Sequence, residues 1–154
     1  MMGGMGSTKF DEAQARLTSY MRSKGLKVTR QREQILRTFI EVGKHVGIEE
    51  LLWLVRQTSP GIGHATVYRT MRLFVEAGIA EERRFNGGAS LYEHSEGDEH
   101  HHDHIICTSC GRIVEFENTE IERLQDEVAA ELGFRLTSHK MELYGLCSAC
   151  QDAP

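Results

Sequence analysis

ATVYRTMRLFVEAGIAEERRFNGGASLYE, residues 65–93, carries a helix, a glycine stop and two short strands in sequence. Val67, Met71, Phe74 and Val75 recur at helical spacing and form a core face, while Ala65, Tyr68, Arg69 and Arg72 fall on the opposite side. Gly78 has the place of a helix-ending C′ residue. Strands are expected over 80–85 and 90–93, joined by a hairpin turn at Asn86-Gly87-Gly88.

Toward the N-terminus the same periodicity continues. A helix over about 48–58 has Leu51, Leu52, Leu54 and Val55 as apolar positions and is cut off by Ser59-Pro60-Gly61. Before it, Thr29 caps a helix with Ile35, Leu36, Phe39 and Ile40 as its buried face, and Gly43 ends it. A first helix over 10–23 places Leu17, Tyr20 and Met21 at helical spacing before Gly25. Helices followed by a hairpin predict a winged helix-turn-helix domain over residues 10–93. Residues 1–9 read as a flexible leader without an apolar signal core, and no run of about 18 apolar residues exists. The expected setting is therefore the cytoplasm.

The charge is divided unevenly. Residues 1–93 hold 14 Lys/Arg against 10 Asp/Glu, a net +4, whereas residues 94–154 hold 4 against 13, a net −9. A basic half suits a polyanion and an acidic half suits cations. On the basic half, the outward Tyr68-Arg69-Arg72 face suits a DNA groove, because arginine donates paired hydrogen bonds to guanine or phosphate. Lys27, Arg30 and Arg32 lie before or at the start of an earlier helix, within reach of phosphates or the minor groove.

The acidic half begins after a hinge over 94–100 and is expected to run strand (104–107), strand (112–116), helix (119–132) and strand (135–144). It holds all four cysteines, as Cys107-x-x-Cys110 and Cys147-x-x-Cys150. Two such pairs supply four thiolates, the donor set of a closed tetrahedral zinc site that supplies folding energy to a small domain. The run His100-His101-His102-Asp103-His104, read on a strand, sends His102 and His104 to one face and His101 and Asp103 to the other. One tract can thus feed two sites. Imidazole and carboxylate donors suit Fe(II), Mn(II), Co(II) or Zn(II).

Several motifs occur in order: Thr29-x-x-Arg32, His45-Val46, Ala65-Thr66-Val67-Tyr68-Arg69, Gly87-Gly88, His101-His102-Asp103-His104-x-x-Cys107-x-x-Cys110-Gly111 and Cys147-x-x-Cys150. Together, from Gly25 to Cys150, they resemble the ferric uptake regulator family. The resemblance implies an α+β protein: an N-terminal winged helix-turn-helix domain plus a C-terminal α/β dimerisation and metal-binding domain over 101–154. It implies a repressor that is not an enzyme, a homodimer with pairing to a tetramer left open, and palindromic double-stranded DNA operators bound when divalent metal is loaded.

Carried over by motif, Cys107, Cys110, Cys147 and Cys150 look like the structural zinc ligands. His45, Glu93, His102, His104 and Glu115 look like the regulatory site for Fe(II), or for Mn(II) or Zn(II). His101, Asp103, Glu122 and His139 look like an additional site. Tyr68 and Arg69 match DNA-contacting positions and Lys27 a minor-groove lysine; Arg30, Arg32, Thr66 and Arg72 complete the expected DNA-binding set. The peroxide-sensing branch places Asp where Glu115 stands, so Glu115 favours the iron-sensing branch, with peroxide or zinc sensing as alternatives. A metalloenzyme and a metal buffer are the readings from other classes. The hydrolase pattern H-x-H-x-D-H is not met, since Glu99 holds its first histidine position. His64 receives no role.

Overall fold

The computed structural model describes residues 5–95 and 103–152 and divides the chain into two compact units, Met1–Asp98 and Glu99–Pro154. In the first unit, α1 (Met5–Ser23), α2 (Arg30–Val42), α3 (Ile48–Arg56) and α4 (His64–Glu76) precede the hairpin of β1 (Ala80–Arg83) and β2 (Leu91–His94). The second unit contains β3 (Asp103–Cys107), β4 (Ile113–Phe116), α5 (Thr119–Glu131), β5 (Glu142–Gly145) and the single turn α6 (Ser148–Gln151). Among the described residues no helix is long and apolar enough to cross a membrane.

Local chemistry accounts for the helix ends. Thr29 is extended, and its hydroxyl accepts a hydrogen bond from the Arg32 N–H at 3.2 Å, satisfying one of the free donors of α2. At the other end of the domain, α4 stops in a Schellman motif. Gly78 adopts φ +77°, its N–H donates to the Val75 carbonyl and the Ile79 N–H donates to that of Phe74. That reversal delivers the chain directly into β1.

The four helices bury one stripe each. Ile35, Leu36, Phe39 and Ile40 of α2, Leu51, Leu52 and Val55 of α3, and Val67, Met71 and Phe74 of α4 join Leu17, Met21 and Tyr92 in one core. Val75, expected on the core face of α4, is half-buried, and Thr70 is buried in the same stripe. Thr70 lies three residues after Val67 and four before Phe74, so it shares their face, and the stripe is rotated slightly toward it.

The hairpin is shorter than the sequence suggests. Its ladder ends at Arg83↔Leu91, and residues 84–90 form the loop. Asn86 and Gly87 both have positive φ, and the Gly88 N–H closes the turn on the Phe85 carbonyl at 2.9 Å. Phe85, beyond the end of the ladder, is buried, with its ring edge-on to His45. An isolated antiparallel bridge joins Val46 to Tyr92 through two hydrogen bonds of 2.8 and 2.9 Å, tying the α2–α3 connection to the hairpin.

In the second unit the sheet order is β4-β3-β5, with β3 antiparallel to β4 and parallel to β5. The long strand expected over 135–144 is corrected to Glu142–Gly145. Among the described residues, the β3 edge pairs from His104 with Glu142 to Cys107 with Gly145, and the His104 N–H donates to the Met141 carbonyl at 3.1 Å, so residues 135–140 pair with no described strand. No residue of α5 is buried.

Candidate metal centres and nucleic-acid face

The four cysteines converge from two tight turns. Cys107 closes β3, and the Gly111 N–H returns to its carbonyl at 3.0 Å, with Gly111 at φ +80°. Cys147 caps α6, where the Cys150 N–H folds back on the Cys147 carbonyl at 2.9 Å. The parallel pairing of Cys107 with Gly145 brings these turns together.

The four sulfurs lie within 4.8 Å of one another. Sulfurs about 2.3 Å from a central zinc sit roughly 3.8 Å apart along a tetrahedron's edge. Cys110 Sγ and Cys147 Sγ are 3.8 Å apart, which fits that edge and is far too long for a disulfide.

The thiols are electrostatically unequal. The Cys110 and Cys147 backbone N–H groups point at Cys107 Sγ from 3.5 and 3.4 Å and hold its thiol down at about 6. Cys147 is lowered first by hydrogen bonding with Cys150. The Ser109 hydroxyl lowers Cys150, but the Cys147 and Cys107 sulfurs outweigh it and push that thiol up to about 12. Four crowded sulfurs cannot all ionise alone; a dication removes the conflict.

Asp103, Glu122 and His139 form a second cluster, with ligand atoms within 4.8 Å of one another. His139 Nε2 lies 3.2 Å from Glu122 Oε1 and 3.7 Å from Asp103 Oδ1. Asp103 Oδ2 is buried without a hydrogen-bond partner among the described residues. A buried carboxylate oxygen in that state is costly unless a cation meets it. His139 was expected on the last strand; it lies instead in the loop before β5, and the loop's freedom lets it turn back toward Asp103.

The neighbouring residue on β3, His104, faces the other side of the sheet. Its side chain is 2% exposed, with Nε2 3.6 Å from Glu115 Oε1. Its two cross-strand partners are both glutamates, Glu115 and Glu142. Alternation along the strand therefore separates Asp103 and His104 into different surroundings. His101 and His102, the other expected ligands of this tract, lie outside the described residues, as does most of the expected hinge.

In the first unit, His45 and Glu93 are brought together by the Val46–Tyr92 bridge, since each immediately adjoins a bridged residue. His45 Nε2 and Glu93 Oε2 are 2.9 Å apart, at 10% and 16% side-chain exposure. Arg83, which sequence reasoning missed, donates from Nε to Glu93 Oε1 at 2.6 Å and from Nη2 to Glu81 Oε2 at 2.8 Å. Burial alone would lower its pKa, yet Glu93 and Glu81 outweigh burial and raise it. Only the register of the hairpin reveals this contact.

The expected DNA-contacting residues occupy the outer surface of the same unit. Tyr68, Arg69 and Arg72 are exposed on α4, opposite its buried stripe, and Thr66 is half-buried in its first turn. Lys27 and Arg30 are exposed before and at the start of α2, and Arg32 is half-buried. His64, without a role in the sequence reading, opens α4 and lies 3.2 Å from Glu49 of α3.

The model of the ferric uptake regulator family matches residues 23–144. The ferric uptake regulation protein of Neisseria meningitidis serogroup A is 42% identical over 132 residues, spanning 85% of this chain and 90% of that protein. The Helicobacter pylori ferric uptake regulator, whose structure is described as revealing three functional metal binding sites, superposes with a TM-score of 0.85 at 30% identity. The superposition covers 94% of this chain and 95% of that one. The regulator from Francisella tularensis, solved with iron, gives a TM-score of 0.75 at 32% identity over 83% of this chain and 96% of that one. These relatives are regulators rather than enzymes. A family model spanning most of the residues, together with relatives matched over most of their own length, makes this chain a member of the ferric uptake regulator family.

Proposed function

We propose that this chain is a dimeric transcriptional repressor that binds palindromic DNA operators when loaded with Fe(II), or with Mn(II) or Zn(II) in its place. Cys107, Cys110, Cys147 and Cys150 hold a structural zinc. Asp103, Glu122 and His139, with His101, hold an additional metal. His45 and Glu93 from the first unit and His102, His104 and Glu115 from the second are the regulatory ligands. Thr66, Tyr68, Arg69 and Arg72 of α4, with Lys27, Arg30 and Arg32, contact DNA.

The observation that carries this reading is the His45–Glu93 pair. It puts a metal-type donor set inside the same unit that presents the tyrosine and arginine face. A buffer needs no ligands in a DNA-reading unit, whereas a sensor does. Metal that engages both units favours one arrangement of the α4 helices among several, a population shift. A 100-fold gain in operator affinity needs about 2.7 kcal/mol of coupling, ordinary for such linkage. Imidazole and carboxylate donors suit Fe(II) and its borderline neighbours.

The second unit supports the dimeric reading. Leu124, Val128 and Leu132, on and just past α5, are exposed and border an apolar cavity of about 710 Å³ that Phe134 and Leu136 also line. A helix with no buried residue and an apolar outer stripe is held by a partner surface, here a second copy. The test is operator binding titrated with Fe(II), Mn(II) and Zn(II), for wild type and for His45→Ala. Metal should tighten wild-type binding and leave the variant near its metal-free level; an unchanged response in the variant refutes the proposal.

A further inference from the structure

Glu93 has its two carboxylate oxygens divided between partners. Oε2 faces His45, while Oε1 accepts from Arg83, whose guanidinium also reaches Glu81 on the same strand. The hairpin enforces this. Glu81 and Glu93 are directly paired across the ladder, and Arg83, two residues along β1, is the diagonal neighbour of Glu93 on the same face. We propose that Arg83 is a resident cation that competes with metal at the His45–Glu93 pair and so sets the metal concentration at which the site fills. The inference rests on the reading of His45 and Glu93 as ligands.

Two effects of opposite sign meet here. A hydrogen bond to a ligating carboxylate fixes its orientation, which favours binding. A fixed positive charge on the other oxygen repels the incoming ion and drains electron density from the ligand, which opposes it. The tether saves the rotamer freedom of one side chain. The repulsion is between a monocation and a dication, twice that of unit charges, and water screens it only in part, since the Arg83 side chain is 27% exposed and that of Glu93 16%. The repulsion dominates. A guanidinium also cannot leave by losing its proton, as an imidazole can, so the competition persists at every physiological pH.

The role in setting affinity is separable from a structural one. Arg83 also neutralises Glu81 and Glu93, which face each other as like charges. Arg83→Gln removes the cation. Arg83→Lys keeps it. Glu81→Gln combined with Arg83→Gln removes the cation and the carboxylate repulsion together, at no change in net charge, and serves if the single variant is unstable.

The experiment is calorimetric Mn(II) titration of the zinc-loaded full chain, with His45→Ala to identify the site. The Gln variant should bind Mn(II) there about tenfold more tightly, and the Lys variant should stay within about threefold of wild type. The double variant should also bind more tightly than wild type. An unchanged or weaker Kd in the Gln variants overturns the proposal, and so does equal tightening in the Lys variant, which would make geometry the cause. If His45→Ala keeps every metal equivalent, the ligand reading fails, and the competition proposal with it.

Discussion

Removing zinc from the four-cysteine cluster should melt the second unit and leave the first intact. The first unit owns a continuous core from Phe10 to Tyr92. Among the described residues of the second, the buried apolar side chains are Ile106 and Cys107, and α5 buries none. Burying one isoleucine is worth about 1.5–3 kcal/mol, whereas ordering each backbone residue costs about 1–2 kcal/mol. A structural zinc contributes about 10–16 kcal/mol at neutral pH, as much as the whole stability of an ordinary domain. Among the described residues, no other feature of this unit supplies a comparable amount within one chain. Cys107→Ser should have the same effect, because Cys107 Sγ accepts the N–H groups of both turns. Hydrogen exchange read by mass spectrometry resolves the units: peptides from α5 and β3 should lose protection, while those from α2 and α4 keep theirs. Retained protection of α5 after complete zinc removal, or equal loss in α2, would refute the reasoning.

Three further outcomes are expected. Arg69→Ala should weaken operator binding by roughly 1–3 kcal/mol while zinc content, measured by elemental analysis, stays unchanged; loss of zinc with Arg69 would mean that the two roles are not separate. Val128→Asp with Leu132→Asp should turn the protein into a monomer by analytical ultracentrifugation, because each would bury a charge against a partner's apolar stripe; a persistent dimer would place the interface elsewhere. Zinc loading at about pH 7.5 should release protons. Cys107, at about 6, is already a thiolate there, while Cys150, at about 12, must give up its proton to ligate. Binding enthalpies should therefore change with the ionisation heat of the buffer, and identical enthalpies in phosphate and Tris would contradict this.

The sequence alone determined whatever depends on near neighbours along the chain. Helical stripes, the Thr29 cap, the Gly78 stop and the Asn86-Gly87 turn are set within a few residues by sterics and hydrogen bonding, and each was legible. So was the cysteine chemistry, since two C-x-x-C turns define a donor set whatever lies between them. Alternation on β3 likewise separated Asp103 from His104 before any fold was known.

Tertiary structure decided what depends on pairing between distant segments. The strand expected over 135–144 shrank to four residues because its pairing with the described part of β3 starts at His104 with Glu142, and His139 lies in the loop before it. The Val46–Tyr92 bridge set His45 beside Glu93, although 48 positions separate the two. Arg83 joined that pair only through the register of the hairpin. Local preference reaches about one turn of helix or one strand. Beyond that, contacts follow from which apolar faces can be buried together and which backbone groups must find a partner, and these are properties of the whole packed chain.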